Sequence, residues 1–177
     1  MKNIYVSLIK TNSPIGKFVC RIKKDRVTHA AIALDENFET LYGFGRKHKW
    51  RPDKGYFRKE SYVEGYYGRY KTLPGFVLKI EVTDEQYNKV INILREFVQN
   101  DKRYHYSVIK LLSNIVDIKV QDDNGFICSE FVAYVLQGAG IVKFDKPLNL
   151  VRPQTLLDTI SANIIYQGDM KKYCYAM

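Results

Sequence analysis

The sequence predicts an α+β fold in which an antiparallel sheet packs against helices, and three observations carry that prediction. Alternating apolar residues mark strands at 2–10 and at Gly75–Val82. Two further strand-like runs are joined by Asp35-Glu36-Asn37 into a hairpin. Amphipathic segments with recognisable caps supply the helices between and after them.

Along the chain, Ile4, Val6 and Leu8 alternate with Tyr5, Ser7 and Ile9 in the first strand. Ser13-Pro14 then resembles a cap followed by proline in the first helical turn. The helix from Pro14 to about Lys24 places Ile15, Phe18, Val19 and Ile22 on one face. The hairpin runs Val27–Leu34, turn, Phe38–Gly45, and counting back from the turn pairs Leu34 with Phe38 and His29 with Gly43. Residues 46–70 show no clear periodicity but are rich in basic, glycine and aromatic residues, among them Trp50, Tyr56, Phe57, Tyr62, Tyr66, Tyr67 and Tyr70. A segment of that length suits either a lid or substrate wall or a small satellite core.

After Gly75–Val82, Thr83 and Gln86 form a capping-box pattern that opens a helix to about Gln99. Its buried stripe reads Tyr87, Val90, Ile91, Leu94 and either Phe97 or Val98. The apolar run Val108–Ile118 is expected to begin as a helix, and a polar loop at 121–125 precedes a helix that starts about Cys128 and stops at Gly138. Beyond it, Ile141–Phe144 and Leu148–Val151 look extended, Arg152–Asp158 reads as a short helix, Ile164–Gly168 as a strand, and Lys171–Met177 as a last strand or a tail.

At 177 residues, with no repeat, low-complexity stretch or linker, residues 1–177 are expected to form one domain with a sizeable core. No apolar run approaches the length of a membrane span, and the first residues lack the pattern of a secretory signal. The three cysteines show no CxxC or Cys/His ligand spacing, so neither a disulfide framework nor a structural metal site is implied, and a reduced, cytoplasmic setting fits. The net charge of +9 concentrates in 17–26 and 46–58. A solvated basic face explains it most simply; nucleic acid is disfavoured because no helix-turn-helix or RNP pattern accompanies it, and a peripheral membrane contact stays open.

Cys128 stands where a thiol is chemically useful. The first turn of a helix carries unpaired N–H groups and the positive end of the dipole, which favour a thiolate and can receive an oxyanion. A buried cysteine that only fills space gives the same local pattern. His29 opens the alanine-rich strand of the hairpin, sharing a strand face with Ala31 and Ala33, and a helix lying on that face would bring its terminus near the imidazole. Cys20, inside the first helix, gains no such activation, and His105 reads as a loop or surface histidine.

A cysteine that attacks a carbonyl needs an imidazole partner and a group to orient that ring. Here the order is His then Cys, and the two segments together resemble the circularly permuted papain-like hydrolases. Thr28-His29-Ala30-Ala31-Ile32-Ala33-Leu34-Asp35 resembles their histidine strand, and Cys128-Ser129-Glu130-Phe131-Val132-Ala133 their nucleophile helix. The likeness is nearest to the YiiX-type amidase-like group of bacteria and more distant to NlpC-type and lecithin–retinol acyltransferase-like proteins. Tyr42–Lys47 and Val151–Pro153 resemble segments of bacterial relatives of that group.

The resemblance implies a permuted papain-like fold and a cysteine amidase, peptidase or esterase. Cys128 would be the nucleophile, His29 the general base and acid, and the Cys128 N–H part of the oxyanion hole. It implies no metal and no organic cofactor, and a peptide, amide or lipid-ester substrate. Members of such families carry a polar residue on the following strand to orient the histidine. Here Gly43 occupies the expected place and offers no side chain, while Glu39, across from Ala33, lies too far along. A weakly active or inactive binding module on the same fold, meeting anionic surfaces or nucleic acid, is the alternative that this gap favours.

Overall fold

The computed structural model of the protein describes residues 1–48, 51–160 and 163–176. Its centre is β1 (Lys2–Ile9), flanked by β2 (His29–Ala33) and β5 (Pro74–Val82) in a six-stranded sheet. With β3 (Tyr42–His48), β4 (Arg51–Lys59) and β8 (Ile164–Asp169), the strand order is β4-β3-β2-β1-β5-β8. Every neighbouring pair in this sheet is antiparallel. A separate two-residue ladder joins β6 (His105–Tyr106) to β7 (Gly125–Phe126) in parallel. The helices are α1 (Pro14–Lys23), α2 (Gly65–Gly68), α3 (Asp84–Gln99), α4 (Val108–Ile115), α5 (Cys128–Gly138), α6 (Pro153–Thr159) and α7 (Met170–Ala176). None of them is long and apolar enough to cross a membrane.

The alternation of β1 explains its central place, because both of its faces are apolar and both are covered. Ile4, Val6 and Leu8 point into a core shared with α3 and α5, whereas Tyr5 and Ile9 join a second core on the opposite face with Tyr62, Tyr67, Leu73, Val77 and Met170. The capping box of α3 forms as the sequence indicates: Thr83 Oγ1 accepts from the Gln86 N–H at 3.1 Å, and Gln86 Oε1 accepts from the Thr83 N–H at 3.0 Å. Val90, Leu94 and Phe97 are the buried residues of that helix, and Val98 is exposed.

Several expectations are corrected. Residues 46–70 are no long irregular loop: β3 and β4 form a hairpin, with Phe44 opposite Phe57, and α2 follows. Glycines and basic residues obscured the alternation that these two strands share. Of the side chains singled out in that segment, Trp50 lies outside the described residues. The expected satellite core is real in part, since Tyr62 and Tyr67 are buried in the second core. The chain after residue 170 forms α7 rather than a strand or tail, placing Met170 and Tyr173 in that same core. Ile141–Phe144 is not a strand, and Leu148–Leu150 is a short 3-10 turn. Phe18 and Ile22 of α1 are more than half exposed instead of facing the core.

The register of the β2–β3 hairpin also differs. Ile32 pairs with Tyr42, which sets Gly45 rather than Gly43 across from His29 when the count is continued. The cause is a wider turn built on Asp35. Its carboxylate accepts from the Glu39 and Thr40 N–H groups at 2.7 and 2.8 Å, and Thr40 Oγ1 accepts from the Leu34 N–H at 3.1 Å. This Asx-type wrapping takes Phe38–Leu41 out of the strand.

Candidate active site

Cys128 is the first residue of α5 and is buried. The helix is fixed about its own axis by Phe131, fully buried, whose ring meets those of Phe44, Phe57 and Phe97 at centroid distances of 5.3, 5.4 and 5.0 Å. The loop that enters it is held by a buried lysine. Lys110 Nζ donates to the carbonyls of Asp122 and Gly125 and to Glu130 Oε1, each at 2.7 Å. Three acceptors for three ammonium protons satisfy the lysine completely. At the other side of α5, Ser129 Oγ donates to the Val151 carbonyl at 2.7 Å. The N-terminus of the helix is therefore tied at its entry, along its apolar stripe and at its first turn.

The helix does not lie on the His29–Ala31–Ala33 face, as the strand pattern suggested. Ala30 and Ile32 face the core that contains α5, while Ala31 and Ala33 face the tyrosines of the second core. The thiol reaches His29 because β2 and β3 pair only at Ile32 and Tyr42 among the described residues. Toward His29 the N-terminus of α5 takes the place of further ladder bonds, and the Ala30 N–H donates to the Cys128 sulfur. His29 hydrogen-bonds the thiol as well.

The residue that orients His29 is Glu60, just beyond β4. Its Oε2 lies 2.8 Å from His29 Nε2, and its side chain has no solvent exposure. With Nε2 engaged, Nδ1 is the ring nitrogen left for the thiol. Glu60 reaches across β3 from two strands away, which is why β3 carries glycines. A Cβ at Gly43 would stand 3.1 Å from the Glu60 carboxyl carbon, and one at Gly45 would stand 2.8 Å from Glu60 Oε1 and 2.6 Å from Arg58 Nη2. Behind the carboxylate, Arg58 Nε lies 3.5 Å from Glu60 Oε1, and the guanidinium sits over the Tyr66 and Tyr67 rings at 5.6 and 5.7 Å. Gly43 does not leave the imidazole without a partner; it makes room for one.

Electrostatically, the thiol and the imidazole favour the charged pair. Burial alone would push the Cys128 thiol up, but the His29 charge, its hydrogen bond and the Ala30 N–H outweigh it and hold the thiol below its ordinary value. Burial would likewise lower the His29 imidazolium; the Glu60 carboxylate first, and the Cys128 thiolate second, raise it well above the usual histidine range. The other two cysteines behave oppositely. Burial raises Cys20, and it pushes Cys174 up to about 11.

The site opens into a narrow cleft whose wall includes Tyr66, Tyr67, Tyr106, Leu111, Ile115 and Arg152. Arg152, part of the Val151–Pro153 segment noted in the sequence, is held by its Nε donating to buried Asp25 at 3.0 Å. His105 stays at the surface, 3.2 Å from Asp122. Among the described residues, no group of three His, Cys, Asp or Glu side chains is placed to hold a metal ion. Sequence reasoning named Cys128 and His29, and the fold brings them together. It missed Glu60, Arg58 and Lys110. For the first two, the glycines at 43 and 45 were the available signal, because glycine inside a strand marks a close approach. A scan against protein-family models and searches of curated proteins and of solved structures gave no match.

Proposed function

We propose that this chain is a cysteine hydrolase of permuted papain-like architecture, cleaving an amide or ester through a thioester on Cys128. The observation that carries this reading is the buried row Cys128–His29–Glu60 at the wall of a cleft, with the thiol at a helix N-terminus. The Cys128 thiolate adds to the substrate carbonyl, and the new oxyanion meets the Cys128 backbone N–H in the first turn of α5. Collapse breaks the bond to the leaving amine or alcohol, which takes the proton from His29. Water then gives a proton back to His29 as it attacks the thioester, releasing the acid and the thiol. Glu60 holds the ring so that Nδ1 faces sulfur and stabilises the imidazolium on which both steps depend.

The alternative of an inactive binding module drew its support from glycine at the orienting position and from the positive surface. Glu60, just beyond β4 and two strands away from β2, lies against His29 and supports the hydrolase reading over that alternative. The test is the pH dependence of iodoacetamide labelling, quantified separately for Cys20, Cys128 and Cys174 by mass spectrometry, in the wild type and in His29→Ala. The reading expects Cys128 to react fastest below neutral pH and to lose that advantage in the variant. Equal, slow labelling of Cys128 in both proteins would rule out the activated thiol.

A further inference from the structure

The fully buried residues of α4 are polar, Val108 and Leu111 are half-buried against the core, and its other apolar stripe is exposed. Its buried residues are Lys110, Ser113 and Asn114; Lys110 holds the entry to α5, Asn114 donates to the Asn149 carbonyl in the Leu148–Leu150 turn, and Ser113 donates to the Lys110 carbonyl of its own helix. Its outward residues Ile109 and Leu112, with Val116 and Ile118 just beyond, are exposed, and so are Phe18 and Ile22 of α1; each of these six side chains is between 51% and 68% exposed. The two elements are joined by an ion pair, Lys23 Nζ to Asp117 Oδ2 at 2.6 Å. Exposed Leu- and Ile-sized side chains at helical spacing carry a cost in water that polar ones do not, and such apolar exposure marks a contact surface.

Charge says what that contact is. Beside Phe18 and Ile22, Lys17 and Arg21 follow the same helical stripe, and Lys24 and Lys119 are exposed nearby. Residues 14–24 contain no acidic residue, and residues 108–119 contain only Asp117, which is already paired. A second copy of this chain would bring the same positive rim against itself. An anionic lipid surface meets both requirements, accepting apolar side chains at the level of the acyl chains and basic ones among the headgroups.

We infer that the exposed faces of α1 and α4 form a peripheral docking surface for an anionic lipid bilayer. Leu111 and Ile115 of the same helix α4, and Ser13 immediately before α1, line the cleft that holds Cys128. Docking therefore lays the cleft mouth against the membrane. This surface stands independently of the chemistry at Cys128; only the consequence that substrate is met at the membrane rests on the hydrolase reading.

The test is flotation of the full chain with vesicles of equal parts phosphatidylglycerol and phosphatidylcholine, beside vesicles of phosphatidylcholine alone. The wild type should float with the anionic vesicles, less with the neutral ones, and less as salt rises. Ile109→Asn combined with Leu112→Asn should weaken partitioning about tenfold or more, the loss expected for one inserted Leu-sized side chain. Lys17→Glu with Arg21→Glu should weaken it comparably. Thermal unfolding checks that both variants fold; their positions are exposed. Cys128→Ala should float like the wild type, so that failure of the chemistry and failure of docking are told apart. The inference is overturned by absence of flotation at low salt, by flotation that ignores the apolar variants, or by a wild-type dimer that those variants turn into a monomer.

Discussion

Replacing Glu60 with glutamine removes one charge from the buried row beside Cys128 while changing almost no volume. Two effects compete. The carboxylate favours the imidazolium at 2.8 Å, a contact worth about 6 kcal/mol at an effective dielectric of about 20, and it disfavours the thiolate, roughly 7 Å away across the ring, by about 2 kcal/mol. The difference of about 4 kcal/mol falls to about 3 once the amide oxygen keeps a hydrogen bond worth about 1 kcal/mol. That is about 2 pK units, or about a hundredfold smaller equilibrium constant for the thiolate–imidazolium pair over the neutral pair. The assay is the rate of Cys128 alkylation at pH 6, with Cys20 and Cys174 as internal references. Because the substitution leaves Arg58 facing a neutral group, it should also lower stability by about 3 kcal/mol, so folding is checked by urea denaturation. Gly43→Ala provides the second arm, crowding the carboxylate at 3.1 Å without removing its charge; it should slow labelling in the same direction. Folded variants in which Cys128 labels at the wild-type rate would refute the role given to Glu60.

The remaining predictions concern pH and the supports of the helix. With the thiol lowered and the imidazole raised, Cys128 labelling should rise at a pH below the ordinary thiol range. It should then hold a plateau until the pH passes well above the usual histidine range, where the imidazolium proton is lost. Cys20 and Cys174, both raised by burial, should show one step each on the alkaline side of a free thiol. Lys110→Met should destabilise the fold by about 3–5 kcal/mol, because it leaves the Glu130 carboxylate buried without its partner; urea unfolding measures it. Phe131→Ala should cost about 3–5 kcal/mol of stability by opening the aromatic cluster and should also slow Cys128 labelling, since that ring fixes the rotation of the helix that carries Cys128.

Much of this architecture is legible in local patterns. The alternation of residues 4–9, the Thr83–Gln86 box and the Phe131, Val132, Val135, Leu136 stripe each obey a short-range rule, and each element forms where that rule places it. Cys128 was visible for the same reason, as a residue at a helix start. What could not be read was set by distance in the chain. The β2–β3 register depends on how many backbone groups Asp35 wraps, which strand counting does not see. Glu60 contacts His29 only after β3 and β4 have folded back, so nothing near His29 in the sequence points to it. The exposure of Phe18 and Ile22 escaped because amphipathic spacing tells which residues share a face, not which face is covered.

The row of charges around Cys128 also accounts for a thiol that is lowered despite its burial. Charges alternate from Cys128 through His29 and Glu60 to Arg58, so each buried charge has its counter-charge as nearest neighbour. The guanidinium at the end of the row spreads its charge over tyrosine faces rather than leaving it unpaired. Desolvation penalises single charges most, so a row of this kind is held together as a unit, and deleting one member costs more than the contact it makes. The glycines at 43 and 45 belong to that unit although they carry no side chain. They let a carboxylate pass over a strand: a Cβ at 43 would crowd Glu60 at 3.1 Å, and one at 45 would overlap Glu60 Oε1 at 2.8 Å and Arg58 Nη2 at 2.6 Å. On this reasoning the glycine pair is as diagnostic of the arrangement as the cysteine and histidine. Effects of Gly43→Ala and Glu60→Gln on Cys128 reactivity should be far from additive, because both act on the same His29–Glu60 contact.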